Sequence, residues 1–334
     1  MSGIGQVIRQ QKGVALIIVL LIVALVSVLA TEMGSRLQLQ VKRASNIKDN
    51  NQAYWYAMGA EQYAQKSIKY LLDNSDGVIH LDQQWSEPFV YPLDGGGIEA
   101  QLSDMQSCFN VNSLRSGEQG SNTEDTSSGS SERQMAFKRL MENINGDIST
   151  YDIDTFSDSL VDWLDADSNM LQQGAEDSEY ESRQFPYLAA NNLMAHKSEL
   201  RLVNGVSIEW LDLLLKQVCV IPGNDQLKIN VNTVDEKSAP VLAALTGLAL
   251  SDAQDVIANR PKEGFKTKAD FLADNAITAL NMPSEREDWF DVTTSHFILQ
   301  VKTTYNNATF SMATVFAVDD SQNVSILRRE FGTL

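Results

Sequence analysis

Hydrophobic residues are most concentrated in one run, Val14 to Ala30, which only Ser27 interrupts. As a helix, this run would be roughly 25 Å long, at the lower limit for a membrane span. The preceding leader, MSGIGQVIRQQKG, contains Arg9 and Lys12 and no acidic residue. Basic residues beside an apolar run predict that the amino end stays in the cytoplasm and that the bulk of the chain lies outside.

A helical rhythm continues from residue 31 to residue 73, where the turn sequence Asp73–Gly77 follows. Together with the apolar run, it predicts one helix of about 60 residues, roughly 90 Å long, whose second half packs against a sheet. The first half of the helix is predicted to lie in lipid or against other subunits. The residues that follow the helical spacing are Leu37, Val41, Ala44, Ile47, Tyr54, Met58, Glu61, Ala64, Ile68 and Leu71. The aromatic residues Tyr54, Trp55, Tyr56 and Tyr63 are interpreted as core.

Strand patterns occur on both sides of a long helical block. Two strands are predicted at Glu87–Tyr91 and Gly97–Gln106, and alternation of period two in residues 297–305, 310–318 and 324–331 predicts an antiparallel meander. Helices are predicted between them at Gln134–Ile144, Phe156–Leu164, Leu188–Met194, Ser198–Leu202, Ser207–Val218, Ser238–Leu245, Ser251–Asn259 and Lys268–Asp274, with Ser207, Ser238 and Ser251 as caps. The polar loop 116–131 contains no large apolar side chain and is predicted to be solvated.

This order of elements predicts an α+β fold, in which the early and late strands form one sheet against the long helix. The helical block is then a large all-helical insertion domain. The predicted division is a leader at 1–13, a transmembrane segment at 14–30, the long helix and first strands at 31–115, the insertion at 132–290 and the closing strands at 291–334.

Charge is distributed unevenly over the 334 residues. The net charge is −18, but residues 31–334 carry 44 acidic and 24 basic side chains. Such an acidic surface argues against nucleic acid as a partner and is compatible with divalent cations. Residues 239–271 resemble helix-hairpin-helix modules, with a hairpin at Thr246-Gly247-Leu248, but nearby Asp252 and Asp255 favour a packing role. The repeated Asn110/Asn112 and Asn230/Asn232 pairs are expected to bind local backbone.

Twelve acidic residues and no basic residue lie between Arg139 and Arg183. Within this segment, Asp165, Asp167 and Asn169 match positions 1, 3 and 5 of an EF-hand loop, and Glu176 matches position 12. Position 6 is Met170 where an EF-hand has glycine, so the run is EF-hand-like only. Its oxygen donors suit calcium better than zinc or copper. A solvated acidic loop without metal is the alternative.

The junction Lys12-Gly13-Val14 resembles the leader-peptide junction of type IV pilins and type II secretion pseudopilins. In those proteins the leader is cut after the glycine, and the apolar helix stays on the mature chain. Two other interpretations of the run remain open, namely a signal peptide cut after Val28-Leu29-Ala30 and an uncleaved anchor. Most pilins have Glu at the fifth mature residue, where this chain has Ile18. Its absence, the pilin-like order of parts and the helical insertion resemble the minor pseudopilin K family of type II secretion.

The resemblance implies a non-enzymatic subunit that caps the pseudopilus tip and helps to initiate its assembly. It implies cleavage by prepilin peptidase after Gly13, methylation at Val14, a single-pass position in the inner membrane with the bulk in the periplasm, and assembly with minor pseudopilins I and J and other pseudopilins. The acidic segment resembles the calcium-binding loop of the family, which is associated with more than one ion. Calcium is therefore the expected cofactor, and the candidate ligands are Asp162, Asp165, Asp167, Asn169, Glu176, Asp177 and Glu179.

Other possibilities remain at this stage. A membrane-anchored periplasmic calcium-binding protein would leave Gly13 uncut, and a type IV pilus minor pilin would normally keep a Glu where Ile18 stands. Cys108 and Cys219 form a disulfide or remain two buried thiols. No nucleophile elbow, phosphate loop, zinc signature or dinucleotide fingerprint occurs in the sequence, which argues against an enzyme.

Overall fold

The computed structural model describes residues 13–115, 131–144 and 147–332. The predicted leader up to Lys12 and all but the last residue of the polar loop 116–131 lie outside these ranges. The order of elements within them is a long helix, two strands, a block of helices and three further strands.

Helix α1 extends without a break from Val14 to Asn74, a length of 61 residues. It contains no proline, and the Ser27 hydroxyl donates to the Val23 carbonyl at 2.8 Å, which satisfies that side chain inside the apolar run. The carboxy-terminal half of α1 is buried along one face. The buried residues are Asp49, Ala53, Ala57, Ala60, Glu61, Ala64, Ile68 and Leu71.

In the first half of α1, Leu37 and Val41 are 62% and 61% exposed and do not share a face with the buried residues of the second half. At about 100° per residue, Val41 lies about 160° around the helix from the buried Ala57. The prediction that the aromatic residues of α1 are core is wrong for Trp55 and Tyr63, which are exposed. The small alanine side chains, rather than the aromatic rings, bring the helix close to its sheet.

The strands form one five-stranded antiparallel sheet and two short parallel pairs. In chain order they are β1 (Phe89–Leu93), β2 (Gly96–Asp104), β3 (Phe109–Asn110), β4 (Val218–Cys219), β5 (Ile229–Asn230), β6 (Phe290–Asp291), β7 (His296–Tyr305), β8 (Ala308–Val318) and β9 (Val324–Phe331). The large sheet has the order β1-β2-β7-β8-β9. Phe297, Leu299 and Val301 alternate with more exposed residues along β7, as the pattern of period two predicts, and they pack in the cluster that α1 covers.

Helices are the main regular elements of the insertion between β2 and β7, but the insertion is not all-helical, since it also contains the short pairs β3–β4 and β5–β6. Its helices are α2 (Glu132–Ile144), α3 (Thr150–Leu164), α4 (Asp177–Glu181), α5 (Ile208–Leu214), α6 (Ala239–Thr246), α7 (Leu250–Ala258), α8 (Lys268–Leu272), α9 (Asn275–Thr278) and α10 (Ser284–Glu287). The prediction of a helix at Leu188–Met194 is wrong, because this segment is not helical. The helix predicted over Ser207–Val218 ends at Leu214, because the chain continues into β4.

The predicted caps have different outcomes. The Ser207 hydroxyl caps α5 by accepting the N–H of Glu209 at 3.3 Å. Ser238 precedes α6 without a side-chain cap, and Ser251 lies inside α7. Only the first of the three serines therefore stabilises a helix end as predicted.

The insertion joins the sheet at the end far from the apolar run. At the near end, Asn306 donates to the Asp49 side chain of α1 at 3.1 Å. At the far end, Asn230 donates to the Ile79 carbonyl at 3.0 Å and to Asp104 at 3.1 Å. The body of the insertion is thus held beyond the carboxyl end of α1.

The repeated asparagines bind local backbone only in part: Asn230 accepts the N–H of Asn232 at 3.0 Å, but most of their contacts are with distant backbone. Asn112 donates to the carbonyls of Met194 and Ile221, which lie 82 and 109 residues away. Asn232 makes two hydrogen bonds with the backbone of Phe265. These buried amides connect loops that have no regular ladder, which satisfies their backbone groups.

Candidate metal centre

The candidate centre begins at the carboxyl end of α3. Asp162, in its last turn, is fully buried and accepts the N–H of Leu171 at 3.2 Å. A Cβ atom at Gly174 would lie 1.8 Å from Asp162 Oδ2, so only glycine permits this close approach. Asp158, one turn earlier, accepts the N–H of Gln173 at 3.1 Å. Two carboxylates of one helix therefore fold the loop 165–176 back over its end.

Three carboxylates converge in this loop. Asp165, Asp167 and Glu176 each place an oxygen within 4.8 Å of the others. Glu176 is only 5% exposed, and neither of its carboxylate oxygens has a hydrogen-bond partner among the residues that the structure describes. Within the same residues, one oxygen of Asp165 is likewise buried without a partner. Buried, unpaired carboxylate oxygens are costly, and a cation at this point would satisfy them.

The electrostatics of the cluster disfavour three free charges. The pKa of Asp165 is raised to about 6, first by burial and then by the charge of Asp167. The pKa of Glu176 is raised to about 7, first by burial and then by Asp165 and Asp177. Burial also raises the pKa of Asp162 to about 7. A hard divalent cation suits such an all-oxygen set of donors, so the residues fit calcium.

The remaining candidates have other positions. Asp177 accepts the N–H of Ala189 at 2.9 Å and so fixes the segment that follows α4. The backbone N–H of Asn169 donates to Asp167 at 2.7 Å, which orients that carboxylate. Asn169 and Glu179 are exposed. The structure thus brings Asp165, Asp167 and Glu176 together, and Asp162, Asn169, Asp177 and Glu179 remain predicted ligands outside this group.

An aromatic shell beside the centre was not predicted. The fully buried Tyr180 packs edge-on against Trp163, with ring centroids 5.2 Å apart, and Arg183 lies over its ring. Burial raises the pKa of Tyr180 to about 12, so its hydroxyl stays neutral. The aromatic residues in the acidic segment could have indicated this buried shell, because a solvated loop would not contain them.

A disulfide bond stabilises the insertion near its junction with the sheet. Cys108 and Cys219 are bonded in the structure, with their Cα atoms 5.7 Å apart. Cys108 follows β2 and Cys219 lies in β4, which pairs with β3. The bond therefore connects the insertion to the sheet close to its point of entry.

Comparison with known proteins identifies the family. The description "Type II secretion system (T2SS), protein K" belongs to two family profiles, which match residues 107–223 and 229–293. A type II secretion system protein K from Aeromonas hydrophila is 32% identical over 325 residues, covering 96% of this chain and 97% of the relative. The chain belongs to the type II secretion system protein K family. The protein K of Pectobacterium carotovorum subsp. carotovorum is 30% identical over 326 residues, 97% of each chain.

A solved structure of the same family has the same fold. It is the crystal structure of the GspK–GspI–GspJ complex from the enterotoxigenic Escherichia coli type 2 secretion system. One of its chains matches with a TM-score of 0.76 and 28% identity, over 87% of this chain and all of that one. The predicted family and the α+β fold class are confirmed.

Proposed function

We propose that this protein K is a minor pseudopilin at the tip of the type II secretion pseudopilus, anchored in the inner membrane and assembled with minor pseudopilins I and J. Its role is structural and requires no catalysis. Membership of the protein K family and the solved complex of a relative with two other Gsp chains support this function.

The observation that carries the proposal is the free face of α1. The helix is long and apolar enough to cross a membrane. Beyond Ala30, exposed apolar side chains continue on the side of the helix opposite its buried face, at Met33, Leu37 and Val41. Apolar side chains at such spacing pack against another helix, so neighbouring subunits can pack there while the folded body faces away.

Two features favour the tip. The body of the insertion lies beyond the carboxyl end of α1, where it would block the packing of any further subunit above it. Ile18 stands where most pilins have the Glu that is thought to pair with the amino terminus of a neighbouring subunit. A subunit without that carboxylate is suited to the top of the stack and not to positions below another subunit.

Processing at Gly13 and Val14 is part of the proposal, and α1 begins at Val14. The test is the intact mass of the protein purified from membranes, with its amino-terminal peptide sequenced. We expect a start at methylated Val14. A start at Met1 would indicate an anchored periplasmic protein, and a start near Thr31 a secreted one. Either result would contradict the pseudopilin function.

We also assign a structural calcium ion to Asp165, Asp167 and Glu176. The ion would neutralise the buried carboxylates and stabilise the loop, coupling metal binding to folding. Excess chelator is expected to lower the melting temperature, and added calcium to restore it. The matched variant Glu176→Gln should melt at the same temperature with and without chelator. An unchanged melting curve of the wild-type protein in chelator would contradict the calcium site.

A further inference from the structure

A cleft of about 710 Å³ lies between α1 and the segment 82–87 that precedes β1. The buried side chains of Leu102 and Leu299 line its floor. Four aromatic residues line its walls, namely Tyr63, Tyr70, Trp85 and Phe89. This volume and this mixture of apolar and aromatic lining are typical of sites that receive a side chain or a small ligand.

The aromatic wall is held in place without an occupant. Trp85 Nε1 donates to Gln83 Oε1 at 3.0 Å, and the same oxygen accepts the N–H of His80 at 3.1 Å. Tyr63 stacks on Phe89 with ring centroids 5.1 Å apart. Because these rings are already ordered, binding at the cleft would lose little conformational entropy.

Exposed aromatic side chains lie in and beside the cleft. Tyr63 is 57% exposed, Tyr70 71% and Tyr91, on the neighbouring strand, 52%. Contiguous exposed aromatic side chains mark interaction sites, and tyrosine is enriched among the residues that dominate binding energy. The cleft is thus one part of a larger surface of exposed aromatic side chains that is suited to binding a partner.

This surface lies at the β1 edge of the sheet. Strand β9, at the opposite edge, is connected to the insertion by His196, whose Nε2 lies 3.2 Å from Glu330 Oε2. Among the described residues, β1 has no partner strand on its outer side. A subunit anchored in the same membrane would rise beside α1, whose Tyr63 and Tyr70 line the cleft.

We propose that the cleft receives an apolar side chain of a neighbouring minor pseudopilin, with a basic group beside it. The charge of the lining supports the basic group, since Asp82 and Glu87 form no ion pair within the described part of the chain. Lys66 is the one basic residue in the lining. The inference rests on the proposed function and names the surface through which the tip complex forms.

The test uses the full-length chain, co-expressed with minor pseudopilins I and J and purified by affinity from detergent-solubilised membranes. The first variant is Tyr63→Ser with Tyr70→Ser, which removes the exposed rings, and the second is Ser67→Trp, which fills the cleft. Matched controls are Tyr151→Ala and Phe185→Ala, since both residues are exposed aromatics outside α1 and the cleft. The measurement is the amount of I and J retained per chain, together with the melting temperature.

We expect both cleft variants to lose retention of at least one partner by about tenfold or more, because hot-spot side chains contribute that much. The controls should stay within about twofold of the wild type, since most interface and surface positions contribute little. Asp82→Lys with Glu87→Lys should also weaken retention. If Ser67→Trp folds like the wild type and retains both partners fully, the inference is wrong while the proposed function stands. If the wild-type chain retains neither partner and binds only its own copies, both fail.

Discussion

Glu61 on α1 and Arg329 on β9 form a paired contact across the helix–sheet interface, with Nε–Oε2 2.7 Å and Nη2–Oε1 2.9 Å. Glu61 is completely buried, and Thr314 also donates to it at 2.8 Å. The arginine is partly exposed, so the carboxylate bears most of the desolvation cost. This pair determines the position of the last strand relative to the helix.

Removal of the arginine should therefore harm the protein more than removal of both partners. Arg329→Met leaves a buried carboxylate without its cation and is expected to lower the free energy of unfolding by about 3–5 kcal/mol. Glu61→Met combined with Arg329→Met should recover part of that loss, because no uncompensated charge remains. Denaturant unfolding of the two variants measures the difference. A double variant less stable than Arg329→Met would contradict this assignment.

The disulfide predicts a second effect on stability. Cys108 and Cys219 are 111 residues apart in sequence, and closing such a loop contributes about 4–5 kcal/mol in the chain-entropy model. Cys108→Ala with Cys219→Ala should therefore unfold at much lower denaturant concentration than the wild type. Reductant should shift the wild type to the same midpoint and leave the variant unchanged. A wild-type midpoint that ignores reductant, with free thiols verified by mass, would refute this prediction.

Asp104 predicts how stability depends on pH. It is fully buried where β2 enters the insertion, and it accepts hydrogen bonds from Thr233 and Thr294 at 2.6 Å each. Burial nevertheless raises its pKa from 3.8 to about 6. Because the folded pKa lies above the unfolded one, this carboxyl group favours folding when it is protonated. Its contribution should grow as the pH falls from about 7 to about 4, by on the order of 2–3 kcal/mol.

The variant Asp104→Asn isolates this effect, since its side chain does not titrate. The free energy of unfolding of the wild type minus that of the variant should become more positive as the pH falls through 6. Other carboxyl groups titrate in both proteins and cancel in the difference. A difference that stays constant between pH 7 and pH 4 would show that the hydrogen bonds keep the Asp104 carboxylate ionised throughout.

The parts of the fold that could be predicted are those in which the pattern is local. The alternation in β7 to β9 and the unbroken α1 follow from residues a few positions apart. The predicted helix at Leu188–Met194 failed because this segment is held by distant groups, as in the contact of Asn112 with the Met194 carbonyl. Trp55 and Tyr63 of α1 were assigned to the core because periodicity detects an apolar face without saying what covers it.

In the candidate site, too, some residues could be predicted from a local pattern and others could not. Asp165, Asp167 and Glu176 were found from their loop spacing, and the structure brings all three together. The role of Asp162 could not be read in that way, because it depends on the folding of the loop back onto α3. Its contact with the backbone of Leu171 forms only in three dimensions. The sequence clue was Gly174, whose missing side chain leaves the room that this carboxylate occupies.

Gly174→Ala tests that arrangement directly. An added methyl group would overlap Asp162 Oδ2, so the loop must move away from α3 and the three carboxylates must separate. Calcium affinity, measured by titration calorimetry, should fall by at least about tenfold, an effect typical of changed supporting contacts in metal sites. The matched control is Gly59→Ala on α1, where no atom lies within 4 Å of the new methyl group and helix propensity improves. It should leave calcium affinity unchanged and keep or raise the melting temperature. Equal affinity in the two variants would show that the packing of Asp162 against Gly174 does not shape the centre.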